Sequence, residues 1–298
     1  MTNSIPNRGE DFSKKLYQPL SFGRTLFSQS MTVLAYVLAV IALLPLFSIT
    51  WEILRQGIGQ LTWEALTSLP APVGMEDEPN GFSNAIVGTL TMVGIASLIS
   101  IPFGILTGIF LSELARGKPI ARGIRFVIVI LSSVPSVIVG VFAYGVIVLS
   151  TGSFSAYAGG FALSVIMLPI VALTTEEALK LVPRPYRLGS AALGGAQFQT
   201  VFRVILPTAL TAITTGALLA VARAAGETAP LMFTALFSQF WPDGLNSPTP
   251  SMPVLIYTYA SSPFKEQNEM AWTAALVLLF MVLISNVLSR VVLRQKSR

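Results

Sequence analysis

Residues 31–50 read MTVLAYVLAVIALLPLFSIT, twenty positions without one charged side chain. At about 1.5 Å per residue, a helix of that length crosses the roughly 30 Å hydrocarbon core of a bilayer. The run follows Lys14, Lys15 and Arg24, an order shared with signal peptides. Its apolar core is too long for one and no small-residue cleavage site follows it, so it reads as a retained helix. The same character returns at residues 85–111, 126–150, 159–173, 207–233 and 271–292, with Arg223 and Glu227 interrupting the fifth run. The pattern predicts an all-α membrane protein of about six transmembrane helices. A polar segment covers residues 1–30, a membrane domain 31–293 and a short tail 294–298.

Composition supports this and narrows the chemistry. Hydrophobic residues make up 53% of the 298 and charged residues 11%, against about 25% charged in soluble domains. The sequence has no Cys and no His. That removes disulfides, thiolate or imidazole metal sites, a cysteine nucleophile and a histidine base. The net charge of +5 does not call for nucleic acid, since Lys and Arg of membrane proteins collect in cytoplasmic loops. Placing the N-terminus in the cytoplasm and alternating the spans tests that. The cytoplasmic segments then hold Arg8, Lys14, Lys15, Arg24; Arg116, Lys118, Arg122, Arg125; Lys180, Arg184, Arg187, Arg203; and Arg290, Arg294, Lys296, Arg298, sixteen of the nineteen basic residues. Only Arg55 and Lys265 fall outside, and Arg223 falls in the membrane. Moving the parity by one helix destroys the split, so both termini are expected in the cytoplasm.

Two longer connections lie on the outer side. In the first, residues 61–69 predict a short interfacial helix ahead of the acidic stretch Glu76-Asp77-Glu78. In the second, residues 238–270, Trp241, Tyr257 and Tyr259 suit an interfacial aromatic belt in contact with membrane lipid. A docking surface for an outside partner is the alternative.

Several spans carry helix breakers, which a bilayer tolerates only where neighbouring groups satisfy the freed backbone. Gly104 and Gly108, after Pro102, have the spacing that lets two helices approach closely. Ser132, Ser133 and Ser136 flank Pro135. They place hydroxyls beside a kink, where Ser133 and Ser136 are candidates to line a polar passage.

Two features go beyond packing. Residues 174–207 form a long cytoplasmic connection whose apolar spacing fits amphipathic helix better than strand. Pro183 and Pro185 break it early and Gly194-Gly195 in the middle. Short surface helices joined by a turn follow, with Pro207 in the first turn of the next span. The second feature is Arg223 with Glu227, four residues apart and so on one helix face. A lone charge at mid-membrane costs between about 2.5 and 17 kcal/mol, so the two are expected to pair or to line a wet cavity. From Pro207, Arg223 lies about 24 Å along a continuous helix, in the outer third of the span, where a snorkelling arginine is the plain alternative.

Both features carry a resemblance. Permease subunits of ATP-binding-cassette importers share a motif of Glu-Ala-Ala, three residues, Gly, nine residues, Ile, one residue and Leu-Pro. The matching positions here are Leu188-Gly189-Ser190, Gly194, Val204 and Leu206-Pro207. Gly and Leu-Pro stand at the family spacing and Val204 substitutes conservatively for Ile. Leu188 replaces the Glu, which puts one polar contact in doubt. The string from Arg223 through Gly226, Glu227, Thr228 and Ala229 to Pro230 resembles that of the phosphate-specific, Pst-type importers, and the following Leu231 favours their A-type permease. Ile86-Val87-Gly88-Thr89-Leu90, Val134-Pro135-Ser136, Thr175-Glu176-Glu177-Ala178-Leu179 and Ala271-Trp272 resemble the same family.

The resemblance implies a type I importer permease bundle in the inner membrane of a prokaryote. It implies a homologous permease partner (PstC type), an ATPase dimer (PstB type) and an external phosphate-binding protein (PstS type). The coupling element, with Leu188, Gly189, Ser190, Ala192, Gly194, Val204, Leu206 and Pro207, is implied to seat in the ATPase. Arg223, Glu227 and Thr228 are implied to lie on the route of inorganic phosphate. ATP belongs to the partner ATPase, and this chain is expected to bind no cofactor.

Other classes fare worse or stay open. Gly117-Lys118 lacks the earlier glycine of a nucleotide-binding loop. Zinc and serine-histidine proteases need the missing His. A lipid-modifying enzyme without such groups stays open, as does a stand-alone channel or secondary transporter, although no internal repeat favours the last. An Arg–Glu pair suits sulfate or molybdate about as well as phosphate.

Overall fold

The computed structural model describes residues 22–74 and 79–296. The acidic stretch Glu76-Asp77-Glu78, the basic residues Arg8, Lys14 and Lys15, and Arg298 lie outside the described residues. The chain divides into two compact units after Glu52.

The first unit is dominated by α1 (Phe22–Gly57), which carries the 31–50 run as one unbroken helix with Pro45 inside it. Being apolar on every side, it matches an apolar surround rather than a water-facing position.

The second unit is a helical bundle. A 3₁₀ turn (Ile58–Gln60) and α2 (Trp63–Thr67) stand where residues 61–69 predict a short helix, and the Thr62 hydroxyl caps α2 by accepting from the Ala65 amide at 3.1 Å. The centre is α3 (Ser83–Ile109), extended by a π-turn over Phe110–Leu114, packed along α7 (Ala156–Lys180). Small residues make the approach close. A Cβ on Gly104 would sit 2.7 Å from the Val171 Cβ, and one on Gly108 would sit 2.6 Å from the Thr175 Cβ. At the other end Gly159 faces Met92. These pairings run in the same order along both helices, so α3 and α7 are parallel, as the alternating layout requires of the second and fourth spans. The next helix, α10 (Leu206–Ala225), runs the other way. Ile205 and Ala209 share a core cluster with Leu179 and Val182, while Ala220 and Ala224 share another with Leu163 and Met167. The last helix, α13 (Lys265–Lys296), closes the bundle against α12 (Met252–Ala260).

Among the described residues, five helices are long and apolar enough to cross a membrane, and a bent pair makes a sixth span if its two halves are taken together. That pair corrects the third run. Residues 126–150 predict one span with a kink, but α4 (Pro119–Ser133) and α5 (Ser136–Ala143) are followed through a π-turn (Tyr144–Val148) and α6 (Leu149–Thr151) with a bend of 101° between the two halves. Proline disfavours helix for the residue before it and has no amide hydrogen to donate. Val134 and Pro135 are accordingly both extended, with ψ of 128° and 136°.

The fifth run is corrected at both ends. Its helix begins upstream of Pro207, with α9 (Gln197–Thr200) passing through a π-turn (Val201–Ile205) into α10. The widened turn precedes the proline whose ring would crowd an α-helical carbonyl. At the far end the helix stops at Ala225. Residues 226–228 form a break, and α11 (Ala229–Thr234) is a separate short helix. The fourth run extends to Lys180, so the connection that begins at residue 174 starts as helix.

The 238–270 connection is also more internal than a belt. Tyr259 is buried, edge-on to Phe237 at 6.0 Å, and Met252 and Leu255 are in the core. The Met252 amide donates to the Thr89 hydroxyl at 2.8 Å, and Gly88 leaves room for the Pro250 carbonyl. Trp241 and Tyr257 stay exposed, as a belt requires.

Candidate functional site

The polar features of the bundle gather in two places. The first is the pair of helix breaks. α5 begins after Val134-Pro135 and α11 after residues 226–228, and the two helices pack together, with Gly140 against the Pro230 Cα. Arg223 occupies the last turn of α10, its side chain 57% exposed. Glu227 lies off the helix, where its amide donates to the Ala224 carbonyl at 3.2 Å. The Arg223 Nε reaches the Glu227 Oε1 at 3.4 Å. That is long for a charge-assisted hydrogen bond, which closes to about 2.7–2.9 Å. The guanidinium therefore keeps most of its five donors free of Glu227. Thr228 is the N-cap of α11 and accepts from the Leu231 and Met232 amides through its carbonyl.

The serines are arranged less favourably for an anion. Ser132 and Ser133 both donate to the Val129 carbonyl, at 2.8 and 2.9 Å. A hydroxyl has one hydrogen, so in this arrangement they present lone pairs outward. Ser136 opens α5, where the first amides of a helix have no carbonyl of their own to meet. The structure brings together the helices that carry Ser136 and Thr228. It records no hydrogen bond between Ser133 or Ser136 and the Arg223–Glu227 pair.

The second place is the basic end of the bundle. α8 (Arg184–Ala192) follows Pro183 as its N-cap, and Gly194, at φ +78°, makes the turn into α9. Only glycine takes that conformation without cost. The first helix and the turn stand as read, but the second is not a separate surface helix, since α9 runs through the π-turn into α10. Leu188 and Leu193 are exposed, and Ala192 and Gly194 lie beside them. A groove of about 590 Å³ runs between α8 and the π-turn, where Gly189, Ser190 and Val204 meet Tyr186, Leu193 and Arg203. The Ser190 and Thr200 hydroxyls bond at 2.8 Å and tie the two short helices together. Leu206 packs toward the core, and Pro207 is exposed on the first turn of α10.

Below this surface lie ion pairs that the sequence reading misses. Glu176, 1% exposed on α7, accepts from the Arg125 Nε of α4 at 3.2 and 3.3 Å, from the Arg125 Nη2, and from the Lys180 Nζ at 2.9 Å. Glu113, in the π-turn after α3, accepts from the Arg187 Nε at 3.2 Å and Nη2 at 2.5 Å. Arg187 also donates to the Val182 and Leu179 carbonyls at 2.7 and 2.9 Å, capping the end of α7. The readable signal was the pair of acids, Glu113 and Glu176, each at the C-terminal end of an apolar run. The helix dipole is unfavourable to a carboxylate there, so each requires a cation.

Known proteins resemble most of this chain. Residues 100–298 match the family described as binding-protein-dependent transport system inner membrane component. The chain is 40% identical over 276 residues to the phosphate transport system permease protein PstA of Haemophilus influenzae, covering 92% of this chain and 96% of that one. It is 39% identical over 248 residues to the probable phosphate transport system permease protein PstA of Methanocaldococcus jannaschii, covering 83% and 86%. Among solved structures, an inward-facing MetNI methionine ABC transporter superposes with a TM-score of 0.60 at 21% identity over 72% of this chain and 96% of that one. A bacterial ABC transporter that imports alginate superposes with a TM-score of 0.57 at 15% identity over 89% and 97%. Those two likenesses bear on the fold, which is that of an ABC importer permease. From the matched segment and the near full-length relatives, this chain belongs to the inner-membrane permease family of binding-protein-dependent transport systems.

Proposed function

We propose that the chain is the membrane-spanning permease subunit of an ATP-driven importer of inorganic phosphate. It would form the passage with a homologous permease of PstC type, receive phosphate from an external binding protein of PstS type, and be driven by an ATPase dimer of PstB type. ATP is bound and hydrolysed by the ATPase, and the permease supplies a path that opens to alternate sides. With both termini in the cytoplasm of a prokaryotic cell, the basic end of the bundle faces the ATPase, and α8 with the Gly194 turn is the element that docks there.

The observation that carries the reading is the Arg223–Glu227 break. A guanidinium is planar, permanently charged and suited to two parallel hydrogen bonds with a phosphate. Here it stands at a helix break with Glu227 at only 3.4 Å as a loose counter-ion. Glu227 balances Arg223 while the path is empty, and its charge keeps phosphate from binding so tightly that it cannot leave. Ser136 and Thr228 stand on the two packed helices at this break and extend the polar lining.

The test is uptake of radiolabelled phosphate in phosphate-starved cells lacking this subunit, restored with the wild-type chain or with Arg223→Gln at equal membrane levels. Restoration by the wild type alone, without competition from excess sulfate, supports the reading. Full uptake with Arg223→Gln makes the arginine a snorkelling residue. No uptake with the wild type removes phosphate as the substrate.

A further inference from the structure

A push on a surface helix reaches the membrane only if something fixed joins the two. α8 has no buried residue. It is held to the bundle by polar contacts, and Arg187 makes the most of them. Its side chain, 19% exposed, joins three elements at once: α8 itself, the π-turn that ends α3 through Glu113, and the end of α7 through the Leu179 and Val182 carbonyls. Glu113 holds the second short helix as well, because its backbone carbonyl accepts from the Gln197 Nε2 of α9 at 3.0 Å.

We infer that Arg187 is the positioning residue through which movement of the α8–α9 element becomes movement of α3 and α7. The geometry suits the task. Four hydrogen bonds from one rigid, planar side chain fix direction as well as distance, which a lysine ammonium does not. The far ends of the contacts are helix ends, so displacement passes along the helix axes. α3 and α7 are also packed directly on one another through Gly104 and Gly108, so a displacement at their shared end is felt by both. Ser190 provides a parallel link, from α8 to Thr200 on α9 and from there through the π-turn into α10. The Arg187 clamp acts directly on α3 and α7, and the Ser190 link reaches α10.

This rests on the reading of the chain as an ATP-driven permease, and the experiment separates the two. The complete transporter, with its partner permease, ATPase and binding protein, is reconstituted in vesicles with wild-type, Arg187→Ala, Arg187→Lys or Glu113→Gln chains. Phosphate uptake and ATP hydrolysis are measured on the same samples. With Arg187→Ala, phosphate moved per ATP hydrolysed falls about ten-fold, the size of a typical coupling loss, while ATP hydrolysis and subunit stoichiometry persist. Arg187→Lys falls between. Where Arg187→Ala fails to assemble, Glu113→Gln, which keeps the shape and one acceptor, gives the same lowered ratio. An unchanged ratio in an assembled Arg187→Ala or Glu113→Gln transporter overturns the inference, as does loss of uptake and hydrolysis in equal proportion. A wild-type transporter that moves no phosphate overturns the function instead.

Discussion

Glu176 and Glu227 are both carboxylates four residues from a cation, Lys180 in one case and Arg223 in the other, yet their surroundings are opposite. Glu176 is 1% exposed and carries two cations, one of them a guanidinium in several hydrogen bonds. Glu227 has a single 3.4 Å contact to an arginine that is 57% exposed. A carboxylate saturated by fixed partners has no capacity left for a ligand and serves to hold helices together. A loosely held arginine retains both charge and donors. The comparison separates charges that build the bundle from charges that a passing anion can use, and it is open to test from both sides.

The largest expected effect is on the saturated side. Glu176→Ala leaves Arg125 without its acceptor, while Lys180 keeps Glu177. Arg125 and Lys180 are each 38% exposed, so the cost falls below the ~3–5 kcal/mol of breaking a fully buried pair. Thermal unfolding of the detergent-purified chain should show a large fall in midpoint, with less protein in the membrane. A midpoint unchanged from wild type breaks the comparison, because Glu176 would then hold nothing.

A smaller effect is expected one step away. Gly108→Leu puts a side chain where even a Cβ would lie 2.6 Å from Thr175, the residue before Glu176. Overpacking of this kind costs about 1–3 kcal/mol. It also spreads α3 from α7. The outcome that sharpens the picture is a stability loss in Gly108→Leu that adds less than fully to that of Glu176→Ala, since both act on the same contact. Full additivity would mean that the glycine packing and the ion pair are independent.

The sequence discloses the two sides unequally, for a physical reason. Whatever depends on neighbours along the chain is readable: the apolar runs, the Gly104–Gly108 spacing, the α8–turn–α9 segment with its glycine turn, and the i,i+4 relation of Arg223 to Glu227. The saturated pairs depend on the fold. Arg125 meets Glu176 across 51 residues and Arg187 meets Glu113 across 74. In the sequence those cations count only as cytoplasmic charge. The breaks fall between the two. Pro135 announces a disturbance in the third span, but its 101° size goes with the packing of α5 on α11 and α7. Gly226 gives less warning, because a glycine within an apolar run reads equally as close packing. The apolar run therefore predicts a helix through residue 233 with Glu227 on it, whereas the helix stops at Ala225 and Glu227 lies beside it.

On the loose side the smallest change in stability should accompany a large change in function. Arg223 loses little when its partner goes. The contact is long and the side chain exposed, and exposed pairs are worth about 0–1 kcal/mol. Arg223→Gln and Glu227→Gln should therefore each lower the unfolding midpoint less than Glu176→Ala does. Their transport should separate. Arg223→Gln loses the charge that draws the anion, so uptake falls at every phosphate concentration. Glu227→Gln frees the arginine, so phosphate binds more tightly and leaves more slowly, lowering the concentration for half-maximal uptake together with the maximal rate. If Glu227→Gln transports as the wild type does at every concentration, the carboxylate is not a counter-ion in the path. If instead either variant lowers the unfolding midpoint as far as Glu176→Ala does, Arg223 and Glu227 are a building pair like the others, and the distinction between held and available charges does not exist in this bundle.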